Sequence, residues 1–342
     1  MEKINPKKFQ EFPTEIPIEV TLNCNLSCNF CFNQNAKRSS ELDTISIIKI
    51  IDKIKNSGIN KIRFTGGEPL LRKDIFFLLK YAKSKGFYVL LNTNGTLISE
   101  RNIEKIREYV DNVLISLEGF SNESEFKSTR CKNSFEKKIN AIKLMKKNKV
   151  KIVRCGTVAT KENIKNLEKI FKIVKSLKVD KWELFRPIPN KKNLAPITNY
   201  DVKKLAEKLL KFKKNYKNCY IGNAIPFCSY DPEKMNKVSL GAFSDDGHRR
   251  IVISVDGQVK PSYFLVKNLG NALDTEILNC WNNDFAFKIR SLQSVPRICE
   301  NCIYLNKCKG GSRFCAKLVN GSYKALDPLA QPERYRDKLF HI

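Results

Sequence analysis

Short apolar, β-branched runs alternate with amphipathic stretches through the first 190 residues. Ile16–Leu22, Lys61–Phe64, Phe87–Leu91, Asn112–Ser116, Lys151–Thr157 and Lys181–Phe185 read as strands. Helical spacing of apolar positions falls between them, over Thr44–Lys55, Lys73–Lys85, Glu100–Glu108, Phe135–Lys147 and Asn163–Leu177. One helix per crossover predicts a parallel sheet with helices outside it. Six such strands suit a partly closed barrel or an open doubly wound sheet, and periodicity does not choose between them. In both, the reactive face lies at the C-terminal ends of the strands. A further helix over Asp201–Lys217 carries one apolar stripe and a wet face of lysines. After Tyr220 the texture changes to Gly, Pro, Asn and Cys with short strand-like pieces. Ile251–Ser254 and Gln258–Lys260 flank Val255-Asp256-Gly257, a hairpin signal. The expected organisation is therefore a core over 1–200, a basic linker helix over 201–220, and a small α+β cysteine-rich domain over 221–342.

Composition narrows the chemistry. The chain has 342 residues, 42% hydrophobic and 29% charged, which is globular composition. A net charge of +28 is compatible with an acidic or nucleic-acid partner, or with a compositionally biased proteome. There are only two histidines, His248 and His341, so chemistry built on several histidines is not expected. The N-terminal stretch has no apolar signal core, and no run approaches the ~18 apolar residues of a membrane span. A cytoplasmic location is the expectation. Half of the twelve cysteines fall in two tight clusters, which read as metal ligands rather than disulfides.

The first cluster follows the first strand: Cys24-Asn25-Leu26-Ser27-Cys28-Asn29-Phe30-Cys31, or C-x3-C-x2-C. Three thiolates on one loop suit three irons of a [4Fe–4S] cube and leave the fourth iron open to a ligand that is not protein. Closed ferredoxin-type clusters supply four cysteines. Structural zinc also takes four ligands, and no histidine lies nearby. Thr65-Gly66-Gly67-Glu68-Pro69 follows the second strand. Paired glycines permit close backbone approach, and Glu68 can accept hydrogen bonds from an ammonium.

The cysteine loop, with Phe30 before its third cysteine, resembles the cluster motif of the radical S-adenosylmethionine (radical SAM) enzymes. Gly66-Gly67-Glu68-Pro69 resembles the motif that binds the S-adenosylmethionine amino group in that family. Weaker matches are Asn92-Thr93-Asn94-Gly95 after the third strand, Ser116-Leu117-Glu118-Gly119 after the fourth, and Asn163 after the fifth. The resemblance covers about residues 16–190. It implies the family's partial (β/α)6 TIM-type barrel, with metal ligands Cys24, Cys28 and Cys31. It implies cofactor contacts at Phe30, Gly66, Gly67, Glu68, Pro69, Asn94, Ser116 and Glu118. It also implies a reductant such as ferredoxin or flavodoxin.

The second cluster is Cys299-x2-Cys302-x5-Cys308, followed by Lys309-Gly310-Gly311-Ser312 and Cys315. With Val255-Asp256-Gly257-Gln258-Val259 upstream and Asp327-Pro328-Leu329-Ala330 downstream, residues 228–330 resemble the SPASM/twitch extension that carries auxiliary clusters. The family's thiolates are replaced at Ser262, Ser312 and Ala330. One auxiliary [4Fe–4S] cluster is expected, on Cys299, Cys302 and Cys308. Cys315, Cys228 or Cys280 stands as its fourth ligand, with Cys315 the local choice, or its fourth iron is open. A zinc ribbon on Cys299, Cys302, Cys308 and Cys315 is the alternative.

The expected activity is reductive cleavage of S-adenosylmethionine and hydrogen abstraction from a peptide, protein or cofactor precursor. Tetrapyrrole side-chain decarboxylation of the haem-pathway type is the alternative enzyme class. A zinc-stabilised nucleic-acid-binding protein is the alternative outside enzymes. The lysines, however, lie dispersed on helical faces, with no aromatic nucleic-acid motif. Cys24 stands so near Met1 that neither a preceding leader-binding domain nor a cobalamin domain is expected. No acid or base is assigned, and Arg186 after the sixth strand is a candidate for a substrate carboxylate.

Overall fold

The computed structural model describes residues 10–33, 40–190, 193, 195–243 and 246–340. Its strands are β1 Ile16–Thr21, β2 Lys61–Gly66, β3 Tyr88–Thr93, β4 Asn112–Ser116, β5 Ile152–Val158, β6 Lys181–Phe185, β7 Cys219–Ile221, β8 Val252–Ile253, β9 Gln258–Lys260 and β10 Gly270–Asn271. All ten form one sheet in the order β10-β9-β8-β1-β2-β3-β4-β5-β6-β7. From β8 to β7 every neighbouring pair is parallel, while β8, β9 and β10 run antiparallel to one another. The sheet is not closed: β10 and β7 are its edges. It is the partial barrel that the resemblance implies; the alternation of strand and helix leaves an open doubly wound sheet as the other reading, and the sequential order β1 to β7 decides between them.

Period-2 alternation explains its two faces. Ile16, Ile18, Val20, Phe64, Val113, Cys155 and Trp182 join the apolar core shared with the helices. The helices, in chain order, are α1 Thr44–Asn56, α2 Ile75–Ser84, α3 Ile103–Tyr109, α4 Asn122–Thr129, α5 Ser134–Lys147, α6 Lys161–Lys165, α7 Leu167–Ser176 and α8 Asn199–Lys213. The alternate strand positions carry charge, paired across strands. Glu15 bridges Arg63 and Arg250 at 2.8 and 2.7 Å, and Arg63 donates to Asn92. Arg154 pairs with Glu183 and donates to Asn112. Burial pushes the Glu15 carboxyl up, but the two guanidinium groups outweigh it and hold the group far below the usual carboxylate range.

Three differences from the sequence pattern have local causes. The helix predicted over Asn163–Leu177 is split into α6 and α7 at Asn166, whose side chain donates back to the Glu162 carbonyl. Helix α4 is not anticipated by apolar periodicity, yet Ser121 and Ser124 form a capping box at its start. Strand β7 is only three residues long, too short to show a period. The β8–β9 hairpin turns at Gly257 (φ +84°), and β8 pairs with β1, so the sheet runs unbroken past the boundary expected near residue 221. The Trp281 indole also donates to the Glu11 carbonyl at 2.8 Å, which ties the C-terminal part to the start of the barrel.

Arg186 does not serve as a free carboxylate-binding group. Its side chain is buried at the end of β6, where it donates to Asp327 at 2.7 Å and to the Ala224 carbonyl at 3.2 Å. Asp327 also accepts the Ser312 and Leu329 amides, both at 2.9 Å. The pair locks the C-terminal part onto the barrel. Among the described residues, no helix is long and apolar enough to cross a membrane. His341 lies outside the described residues.

Two outcomes follow from these buried charges. Arg186→Met should destabilise the fold by about 3–5 kcal/mol in chemical denaturation, because Asp327 is left as an uncompensated buried charge. Unchanged stability with a raised substrate KM would instead make Arg186 a substrate contact. His248 is fully buried, and burial followed by the charges of Lys309, Arg313 and Arg290 depresses its pKa to about 3. The unfolded chain takes up this proton near pH 6.5 and the folded chain only near 3. Stability should therefore fall as pH drops through that window, by up to about 1.4 kcal/mol per pH unit from this group. In acid titrations of thermal stability, His248→Gln should remove that part of the slope.

Candidate cofactor site

The cysteine loop leaves β1 at its C-terminal end. Its entry is held by Glu41, which accepts the Thr21 hydroxyl and the Leu22 amide at 2.7 and 2.8 Å. Its far side is hung on the end of α4: the Ser27 amide donates to the Thr129 carbonyl and the Asn29 amide to that of Ser128, both at 3.0 Å. Cys24 and Cys31 are exposed, and Cys28 and Phe30 are half-buried. Burial pushes the Cys28 thiol up to about 12, opposed by the nearby Lys138 ammonium.

Gly66 and Gly67 press against the start of this loop. A Cβ on Gly66 would lie 2.2 Å from the Thr21 carbonyl oxygen, and one on Gly67 would lie 2.3 Å from that of Asn23. The Gly67 amide donates to Thr21 at 2.7 Å and the Glu68 amide to Asn23 at 2.8 Å. The glycines thus permit a close approach, and the neighbour they approach here is the cysteine loop's own backbone. The Glu68 carboxylate is fully buried. It accepts the Leu70 amide, the Thr93 hydroxyl and the Asn94 amide at 3.0, 2.7 and 2.7 Å. Burial raises its pKa against the lowering of these three hydrogen bonds. Pro69 opens the 3-10 turn Pro69–Leu71 that Glu68 caps. Asn94 continues the chain of contacts: its side-chain amide donates to Asn25 at 2.8 Å and reaches the Cys24 sulfur at 3.9 Å.

At the end of β4, Ser116 is half-buried and Glu118 buried. The Glu118 carboxylate accepts the Val158 amide at 2.7 Å, with the Asn163 side chain at 3.4 Å. Burial, and then the Glu125 charge, push its pKa up to about 8, so it is largely protonated at neutral pH. Glu125 accepts the Glu118 and Gly119 amides and is salt-bridged to Lys138, both partners fully buried. The sequence reading missed Glu125 and Lys138. Lys138 stands on the buried stripe of α5, with Ala141, Ile142 and Met145, and a charge on an apolar stripe was the available signal.

The C-terminal cysteines assemble differently from the local expectation. Cys228, Cys299, Cys302 and Cys308 line one cavity, with Gly310 and Ala330. The Phe227 amide donates to the Cys308 sulfur at 3.4 Å. Burial pushes the thiols up, to about 12 at Cys299 and about 11 at Cys308, and the neighbouring cysteines add to this. Cys315 is not among the residues lining this cavity. Its thiol is buried, and the charges nearest it are Arg186 and Asp327. Cys280 packs under Gly270, where an added Cβ would lie 2.8 Å from its sulfur. Among the described residues, no three His, Cys, Asp or Glu side chains converge tightly enough for a single metal ion. Thiolate-only ligand sets are the usual holders of iron–sulfur clusters. Phe32, next to Cys31, meets Phe264 edge-on at 5.0 Å, and Phe264 contacts Phe314 at 6.2 Å.

Comparison with known proteins gives relatives by sequence and by fold. Curated relatives named AdoMet-dependent heme synthase come from Oleidesulfovibrio alaskensis (28% identical, covering 86% of this chain and 81% of the relative) and Methanosarcina barkeri (26%, 85% and 87%). The fold is shared with Streptococcus suis SuiB bound to S-adenosylmethionine, at a TM-score of 0.78 and 20% identity, covering 94% of this chain and 78% of that one. It is also shared with anSMEcpe with bound AdoMet, at 0.75 and 22%, covering 95% and 96%. Residues 18–174 match the family model described as the Radical SAM superfamily, a span that runs from β1 through α7 and includes both the cysteine loop and the glycine pair. Over that span the chain carries a match to the radical SAM superfamily.

Proposed function

We propose that the chain reductively cleaves S-adenosylmethionine and abstracts a hydrogen from a peptide, protein or cofactor precursor. The observation that carries this reading is the junction of Cys24, Asn94, Glu68 and the glycine pair at the ends of β1, β2 and β3. Cys24, Cys28 and Cys31 would hold a [4Fe–4S] cluster. When bound, it supplies an electron and an open iron for S-adenosylmethionine, from which a 5′-deoxyadenosyl radical arises. The backbone of Gly66–Pro69 would border the methionine amino group, with Glu68 setting its position from beneath. Phe30 would cover the cluster. Asn94 would orient the loop, while Ser116 and a protonated Glu118 would face the ribose, Glu118 able to donate as well as accept. The buried Lys138 ammonium would partly offset the burial that disfavours the Cys28 thiolate.

Cys299, Cys302 and Cys308 would hold a second, auxiliary [4Fe–4S] cluster in a SPASM-like domain. A +28 surface suits a small acidic electron donor such as a ferredoxin or flavodoxin. The alternative reading is haem-pathway tetrapyrrole side-chain decarboxylation, and its support is the printed name of the curated relatives, AdoMet-dependent heme synthase.

Cys28→Ala should abolish 5′-deoxyadenosine formation under strong reductant; near wild-type formation would remove the assignment. Glu68→Gln should weaken S-adenosylmethionine binding by roughly 10- to 150-fold, since a charge-assisted hydrogen bond is worth about 1.5–3 kcal/mol. Calorimetry on the reconstituted protein reads this directly, and unchanged affinity would confine Glu68 to holding the loop. With an iron tetrapyrrole bearing propionates, mass spectrometry should show a decarboxylated product matched by 5′-deoxyadenosine. Formation of 5′-deoxyadenosine without that product would return the substrate to the peptide class.

A further inference from the structure

We propose that Cys228 supplies the fourth thiolate of the auxiliary cluster, which is therefore closed and does not bind substrate. This rests on the auxiliary-cluster reading above and goes beyond it by naming the ligand and the role. Four cysteines from separate parts of the chain line the same cavity. Cys228 sits in the turn Phe227–Ser229, just after β7, on the barrel side. Cys299 ends the turn Arg297–Cys299, Cys302 follows it, and Cys308 ends the helix Leu305–Cys308, all on the C-terminal side. The two sides already touch through a ligand atom, since the Phe227 amide donates to the Cys308 sulfur. The turn that presents Cys228 is itself held: the Asn199 side chain donates to the Ser229 carbonyl at 2.9 Å and to the Leu329 carbonyl at 2.7 Å.

The rest of the wall is apolar. Ile298, Leu305, Ala330 and Pro332 contribute no side-chain donor or acceptor, so the four thiols are the only side-chain ligands among its lining residues. Ala330 stands where the resemblance expects a cysteine, and it lines the same cavity as Cys228. The thiol absent at Ala330 is thus matched by one at Cys228 in the same lining. Cys315 and Cys280 are excluded by position, the first beside Arg186 and Asp327 and the second beneath Gly270. A cube held by four thiolates has no vacant iron, so this cluster can relay electrons and staple the C-terminal part to the barrel, but cannot chelate substrate.

The test uses the full-length chain with Cys24, Cys28 and Cys31 all changed to Ala, reconstituted anaerobically, so that only the auxiliary site is populated. It should hold about four irons. Its reduced electron paramagnetic resonance spectrum should not move on addition of cyanide, because no iron is open. Adding Cys228→Ser should lower the iron to about three, or shift the spectrum and make it cyanide-sensitive. Adding Cys315→Ser should change nothing. An auxiliary cluster unaltered by Cys228→Ser, one altered by Cys315→Ser, or cyanide sensitivity with all four C-terminal cysteines intact would each overturn the proposal. Because the cyanide result needs no change at Cys228, it stands even if the serine variant folds poorly. A triple variant holding zinc or no metal would overturn the auxiliary-cluster reading itself, and this inference with it.

Discussion

The site depends on one close backbone approach. Gly66 and Gly67 lie so near the Thr21 and Asn23 carbonyls that no side chain fits between them. The pairing of β1 with β2 slips between Glu19 and Thr21, and this irregularity brings Thr21 opposite Gly66. From that point the cysteine loop is suspended between two anchors, the glycine pair on one side and the end of α4 on the other. Glu68 fixes the geometry from below by accepting from both its own turn and the end of β3. Three strand ends and the loop therefore form one hydrogen-bonded unit.

Two buried ion pairs frame this unit, and they act differently. Lys138–Glu125 lies within the barrel, and Glu125 spends its second oxygen on the Glu118 and Gly119 amides. The pair orients the loop after β4, while burial, aided by Glu125 and opposed by Lys138, raises the pKa of a second buried carboxyl, Glu118. Arg186–Asp327 spans the barrel and the C-terminal part. Neither pair need add net stability over an apolar replacement, but each makes the loss of one partner costly. That asymmetry suits positions whose task is to specify an arrangement.

Much of the barrel was legible because strands buried on both faces and amphipathic helices carry strong periods. The parallel order, the hairpin at Gly257 and the placement of the first cysteine group after the first strand could all be read. What escaped depends on tertiary contact. Arg186 looks like an exposed loop charge until Asp327 is brought against it from far along the chain. The glycine pair reads as a ligand cradle, yet its nearest neighbours are the chain's own carbonyls, which only the β1–β2 register reveals. Cys228 has no spacing signal, since its companions lie on another segment. Cys315 was favoured for being local, and sequence proximity to Cys308 did not bring it to the cavity.

The position of Cys315 has a physical explanation. Where the resemblance places thiolates for another cluster, this chain has Ser262 and Ser312, and both are engaged in hydrogen bonds. The Ser262 hydroxyl accepts the Leu265 amide, while Ser312 caps the helix Arg313–Asn320 and donates its hydroxyl to Asp246. Asp246 also accepts the Arg313 amide at 2.7 Å, and Asp327 accepts that of Ser312. Gly311 passes so close to Asp327 that an added Cβ would lie 2.8 Å from its carboxylate. Carboxylates, hydroxyls and amides thus occupy, with satisfied hydrogen bonds, the region where a metal cluster would otherwise cross-link the chain. Cys315 belongs to this network, its amide donating to Ser312. The polar network thus ties the C-terminal part down without thiols, and the cysteines that line the cavity stand apart from it.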